Sequence, residues 1–245
     1  IFSTWDPNAH IVNPGRPTQE RPWGENVPPF KYYLCAQDFG WHVGAMGLAG
    51  VDARNRLWIV REWYRAEELQ SYWTNVHLRT WRQYRQRVTI ADSAEPDRIA
   101  EQNVAITSKT DSIVIKADKR REAGWDLVRD KLNPSRAGGS RIYVLANSLV
   151  DPDERLAEEL KPTCLVEEIP GYVWKETKPG ERPREEPDPR APDHACDWFR
   201  YLVKFHFRHE LDPDSDRFDW EDGGAAEWIL GEEEAKRLAE RRRGE

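Results

Sequence analysis

The chain has 245 residues, 38% of them hydrophobic and including 12 Trp, enough for one sizeable core with or without an appended tail. No run approaches the roughly 18 consecutive apolar residues of a membrane span, and no basic-then-apolar leader opens the chain. The net charge of −7 is unevenly spread: 13 acidic and 7 basic residues follow from Arg208 onward, so residues 1–207 are close to neutral and charge neither supports nor excludes a nucleic-acid partner.

Residues 1–30 are rich in Pro, Asn, Gly and Trp and close on Pro28-Pro29, which predicts an irregular lead-in or linker. A short apolar run at 32–36 ends at Gln37-Asp38-Phe39-Gly40 and predicts a first strand. Residues 42–51 and 57–64, joined by a turn at 52–55, predict an antiparallel pair behind it. Over 66–85, Leu69, Tyr72, Trp73, Val76 and Trp81 recur at helical steps. A β-branched strand at 88–91 stops at Asp92-Ser93, and Pro96 stands where a helix begins.

A short strand is expected over 104–106, a helix over 118–132 and a strand over 141–145. A helix over 151–160 and a last strand over 164–169 follow. Residues 175–192 are dominated by Pro, Glu, Arg and Lys and read as a mobile loop. From Asp193 the chain re-enters a helix whose inward stripe is Ala195, Trp198, Phe199, Leu202 and Val203. An acidic linker over 212–222 and a short amphipathic helix over 227–241 end it. The order predicts an α/β fold, a mixed sheet covered on its faces by helices. Three domains are expected: 1–30 lead-in, 31–207 body, 208–245 acidic linker and helix.

Cys35, Cys164 and Cys196 are few, scattered and without Cys-x-x-Cys spacing, which argues against a disulfide framework or a structural zinc site and fits a reducing cytosol. The chemistry lies instead with carboxylates where strands end or a helix begins. Asp38 follows one strand, Asp92 ends another, and Asp193, His194 and Asp197 open the last helix. Positions three apart share a helix face, so His194 and Asp197 can point at one spot. Asp193 suits the N-cap. Taken alone, an Asp after a strand is ordinarily a turn former. Taken together, these positions offer the oxygen and nitrogen donors that two hard divalent ions need for phosphodiester hydrolysis. The imidazole tilts the preference toward Mn²⁺.

The segment Ile90-Ala91-Asp92-Ser93-Ala94-Glu95-Pro96, with Asp193-His194-Ala195-Cys196-Asp197-Trp198-Phe199-Arg200-Tyr201, resembles the second and third motifs of the terminase large-subunit nuclease of tailed bacteriophages. Gln37-Asp38-Phe39-Gly40 is similar to that family's first motif. The stretch from Ser108-Lys109 to residue 132, and Glu167 through Tyr172-Val173-Trp174, extend the likeness over about residues 32–207. Many members carry Asp where His194 stands, and smaller residues where Trp198 and Phe199 stand.

The resemblance implies an RNase H-like fold and a Mg²⁺- or Mn²⁺-dependent endonuclease, with two ions, that cuts concatemeric double-stranded viral DNA during genome packaging. It implies Asp38 and Asp92 as ligands, with His194, Asp197 or both completing the site and Asp193 beside them. It also implies a host-cell cytoplasmic setting, a small terminase subunit and the portal or procapsid as partners, and an ATPase motor domain upstream in the same polypeptide. The chain carries no phosphate-binding Gly-x-x-x-x-Gly-Lys-Ser/Thr loop, so ATP hydrolysis by these residues is not expected.

Candidate phosphate contacts are Lys109, Lys116, Lys119, Arg120 and Arg121, and the loop set Lys175, Lys178, Arg182, Arg184 and Arg190. The loop set leads directly into the His194 helix. Two other functions fit the same residues: a resolvase or RNase H-type hydrolase of branched or hybrid nucleic acid, and a non-catalytic docking module whose acidic tail and Trp-rich surface bind the portal or capsid.

Overall fold

A computed structural model describes residues 1–134, 139–176 and 185–208. Ile1–His206 form one compact unit and Phe207–Glu245 a second. The acidic linker and the helix expected over 227–241 lie outside the described residues.

The first thirty residues, expected to be irregular, contain a helical turn and an edge strand. Helix α1 (Pro7–His10) starts on an Asp6 cap whose side chain accepts the Asn8 N–H, and β1 (Ile11–Val12) follows. Strand pattern missed β1 because two residues carry no periodicity; the strand exists because the later strand Ile142–Leu145 offers it a parallel partner. His10 is fully buried, with Nε2 2.8 Å from the Leu132 carbonyl, so the segment is bonded to the body.

The body is built on β2 (Phe30–Asp38), β3 (Gly44–Asp52) and β4 (Leu57–Arg65), an antiparallel meander. Helix α2 (Gln70–Tyr84) ends on Arg85 in the left-handed region, at φ 56°. Strand β5 (Val88–Ala91) then runs parallel to β2, and helix α3 (Pro96–Thr107) follows it with Pro96 in its first turn.

Strand β6 (Ile113–Lys116) pairs with β5 in parallel, helix α4 (Arg121–Leu132) follows, and β7 (Ile142–Leu145) joins the far side of β4. Then come α5 (Glu154–Glu158), α6 (Leu165–Glu168) with a 3₁₀ turn at Ile169–Gly171, and α7 (His194–His206). The seven strands order as β1-β7-β4-β3-β2-β5-β6.

Two expectations are overturned. Residues 104–106 are helical, not a strand: Ile99, Gln102 and Ile106 face inward at helical spacing while Val104 is 78% exposed. Amphipathic burial overrides the strand propensity of Val and Ile, and the true strand comes seven residues later. Residues 164–169 also turn helically. Glu167 Oε2 accepts both the N–H and the hydroxyl of Thr163 at 2.8 Å, which ties the turn back to the residue before its Cys164 N-cap.

Period-two alternation along β3 shows that helices cover both faces. A Cβ on Gly44 would stand 2.6 Å from the Trp73 ring of α2, and one on Gly47 2.2 Å from the Trp198 ring of α7. Residues three apart on a strand face opposite sides, so α2 and α7 lie on opposite faces. Each glycine lets an indole lie flat on the sheet; Trp73 and Trp198 are fully buried.

Candidate metal and nuclease site

The same alternation assigns the acids. On β2, Tyr33 and Cys35 pack in the α2-side core, so Asp38 takes the opposite face, toward α7. On β5, Thr89 Oγ1 lies 3.2 Å from Nδ1 of His77 in α2, so Asp92, three residues on, also turns toward α7. Gln37 and Ala91 are register partners, and the Asp92 N–H donates to the Gln37 carbonyl at 3.1 Å. Asp38 and Asp92 therefore stand side by side where two parallel strands end.

Helix α7 packs across β2, β3 and β5 and brings the third station. His194 Nδ1 lies 2.9 Å from Asp38 Oδ2. Asp197 is 8% exposed, its Oδ1 accepting Arg200 Nη2 at 2.9 Å and its Oδ2 the Tyr201 hydroxyl at 3.2 Å. Burial, opposed by His194 and reinforced by the charges of Asp197 and Asp92, pushes Asp38 up to about 6. Burial also raises Asp193, with Asp197 adding to it. His194 is shifted upward: burial pulls it down, but the bond to Asp38 and the charges of Asp38, Glu168 and Asp193 outweigh that.

Asp193 stands at the N-cap position of α7. Its carbonyl accepts the Asp197 N–H at 2.7 Å. The α7 first turn is capped from another element by Glu168, whose Oε1 accepts the Cys196 N–H at 2.6 Å and whose Oε2 accepts the Tyr64 hydroxyl at 2.7 Å. Glu168 is fully buried, and burial pushes it up to about 7 against those two hydrogen bonds. Sequence reading missed it because it expected 164–169 to be a strand; the adjacent Glu167-Glu168, a residue type depleted in strands, was the available signal. Asp92 does form the turn that such a residue ordinarily forms, Oδ1 accepting the Ala94 N–H at 3.0 Å.

The basic candidates divide by position. Lys116 pairs in register with Ala91, placing it at the same sheet end as Asp92. Lys119 Nζ lies 2.7 Å from Asp92 Oδ1. Arg121 is close enough to act on Asp193. Arg120 is paired with Asp118 at 2.6 Å and Arg190 with Asp188 at 2.7 Å. Lys109 precedes β6 and so lies toward the opposite end of the sheet.

Lys175 lies at the base of the expected loop, whose residues 177–184 are outside the described residues: its N–H donates to the Glu186 carbonyl at 2.8 Å beside a Trp174–Pro187 bridge. Lys178, Arg182 and Arg184 lie outside the described residues. Trp41, 51% exposed, stands three residues beyond Asp38 and was not singled out.

The donors suit a hard divalent cation: three carboxylates and an imidazole at one end of the sheet, with the Asp38 carboxyl raised by burial and, to a smaller extent, by the charges of Asp197 and Asp92. Each donor now has a protein partner. Among the described residues, no group of three or more His, Cys, Asp or Glu is arranged to hold an ion as it stands.

The fold comparison decides the architecture. The chain matches the large terminase nuclease domain of bacteriophage SPP1, solved with bound Mn, over 82% of this chain and 95% of that one, with a TM-score of 0.51 at 18% identity. The chain shares that domain's fold, and the expected RNase H-like architecture is present. No protein-family model and no curated protein matches the chain. The expected mixed α/β sheet is therefore present, with the strand and helix corrections given above. All three cysteines are free, and among the described residues no helix is long and apolar enough to cross a membrane.

Proposed function

We propose that the chain is a metal-dependent endonuclease that cuts double-stranded viral DNA during genome packaging. The observation that carries the reading is the convergence of Asp38, Asp92, Asp197 and His194, from two adjacent strand ends and one helix, within a terminase-nuclease fold. Asp38, Asp92 and Asp197, with His194, would hold Mg²⁺ or Mn²⁺, two ions in the full site. Such ions lower the pKa of an attacking water and neutralise charge at the leaving oxygen.

The chain's own groups do the positioning. His194 orients the Asp38 carboxylate, Arg200 and Tyr201 orient Asp197, and Glu168 holds the first turn of α7. Lys116 at the sheet end would meet the phosphate backbone. This reading carries the partners that the motifs imply: the small terminase subunit, the portal or procapsid, an ATPase motor domain of the same polypeptide, and the host-cell cytoplasm as the setting.

Nicking of supercoiled plasmid in Mn²⁺ tests it. Activity should be present in the wild type, absent in EDTA, and lost in Asp38→Ala and Asp92→Ala proteins that keep their circular dichroism. Full activity in EDTA overturns the reading.

A further inference from the structure

We propose that Lys119 is a tethered cation that neutralises Asp92 in the metal-free protein, is displaced by the divalent ion, and then pairs with the DNA backbone. The inference rests on the nuclease reading and deepens it.

Lys119 Nζ sits 2.7 Å from Asp92 Oδ1. A divalent ion on the Asp92 carboxylate brings two positive charges within a few ångströms of this ammonium, cancels the attraction that holds it and repels it. The loop that carries Lys119 is built to hold it there. Lys204, 3% exposed on α7, donates from Nζ to the carbonyls on either side of Lys119: Asp118 at 3.1 Å and Arg120 at 2.8 Å. Ala117, at the loop's start, donates its N–H to the Ala91 carbonyl at 2.8 Å, one residue before Asp92. Both ends of the tether are thus bonded to elements that carry the candidate ligands.

The side chain itself is 46% exposed, so it can leave Asp92 without breaking the loop. Once displaced, it stands beside a site that has gained positive charge, and the nearest anion of the right kind is the phosphate backbone of the bound duplex. Metal loading and DNA binding are coupled by this one residue: the ion releases the cation that the phosphate then takes.

The test is calorimetric titration of MnCl₂ into the metal-stripped full chain, without DNA, for wild type, Lys119→Met, Asp92→Asn and the double variant. Lys119→Met should bind Mn²⁺ about two- to fivefold tighter, the range of an exposed ion pair, and the gain should vanish on the Asp92→Asn background. Duplex affinity in Ca²⁺ should be weaker for Lys119→Met, with a salt dependence shallower by about one counterion. Unchanged or weaker Mn²⁺ binding by Lys119→Met overturns the tether, and an unchanged salt slope overturns the transfer to phosphate. If the wild type binds no Mn²⁺, this inference and the nuclease reading fall together. If the wild type binds Mn²⁺ and cuts DNA while Lys119→Met matches it in both titrations, this inference falls alone.

Discussion

His194 Nδ1 lies 2.9 Å from Asp38 Oδ2, a contact between residues 156 positions apart that ties the first turn of α7 to the end of β2. A ring fixed this way sets the direction of the Asp38 carboxylate. His194→Ala should therefore cut plasmid nicking by about 10- to 100-fold, the usual cost of losing an orienting partner, while Asp38→Ala should leave no activity. Nicking rates normalised to folded protein check this, and equal rates for His194→Ala and wild type would remove His194 from the site.

Cleavage should rise with pH through about 6. Asp38 is pushed up to about 6, chiefly by burial, and a protonated carboxyl does not ligate a divalent ion. The measurement is the nicking rate between pH 5 and 8 at a fixed, subsaturating Mn²⁺ concentration, where the proton and the ion compete for Asp38. A rate that is flat across pH 5–7 would place the limiting proton elsewhere.

Without metal, stability should move the other way. The folded-state pKa values of Asp38 and Glu168 are raised, to about 6 and about 7, and that of His194 is shifted upward. For a raised group the fold binds more protons than the unfolded chain, so its contribution is present at low pH and lost as pH rises through the folded value. Buried His77, held down to about 4, works the other way between pH 5 and its ordinary value, but the three raised groups act together against it, so metal-free protein should melt lower at pH 8 than at pH 5. Mn²⁺ should stabilise it more at pH 8 than at pH 5, because only the ionised site binds. Thermal melts with and without Mn²⁺ at the two pH values check both signs.

Glu168 offers a separable test, since it caps α7 without facing solvent. Glu168→Gln retains an acceptor for Cys196 and removes the cost of a buried charge, so the drop in stability between pH 5 and 8 should shrink, by no more than about 3 kcal/mol. Glu168→Ala should instead lose about 1–3 kcal/mol at pH 5 through an uncapped helix and an unpartnered Tyr64 hydroxyl. Denaturant unfolding at both pH values distinguishes the two variants.

Gly47 lies under Trp198, and a Cβ there would meet the ring at 2.2 Å. Gly47→Ala should destabilise by about 1–3 kcal/mol and displace α7, lowering nicking beyond what the stability loss explains. Trp198→Ala should cost about 3–5 kcal/mol through the cavity it leaves. Unchanged melting of Gly47→Ala would mean that α7 has slack against the sheet.

Asp38, Asp92, His194 and Asp197 were legible in the chain because strand and helix ends leave local marks: an apolar run that stops, a β-branched run that stops, and a three-residue step on a helix. Helices α2 and α7 were legible for the same reason, as one inward face repeats at helical spacing, whereas of α3 only the start at Pro96 was read. Residues whose role depends on distant chain were not legible. Glu168 is a cap only because α6 comes beneath Cys196, 28 positions on. Lys119 opposes Asp92 only because β6 lies beside β5, and β1 is a strand only because β7 presents an open edge. Periodicity reports what a segment buries, whereas which segment covers it is decided by long-range packing, and the partners of a buried charge come from that second choice.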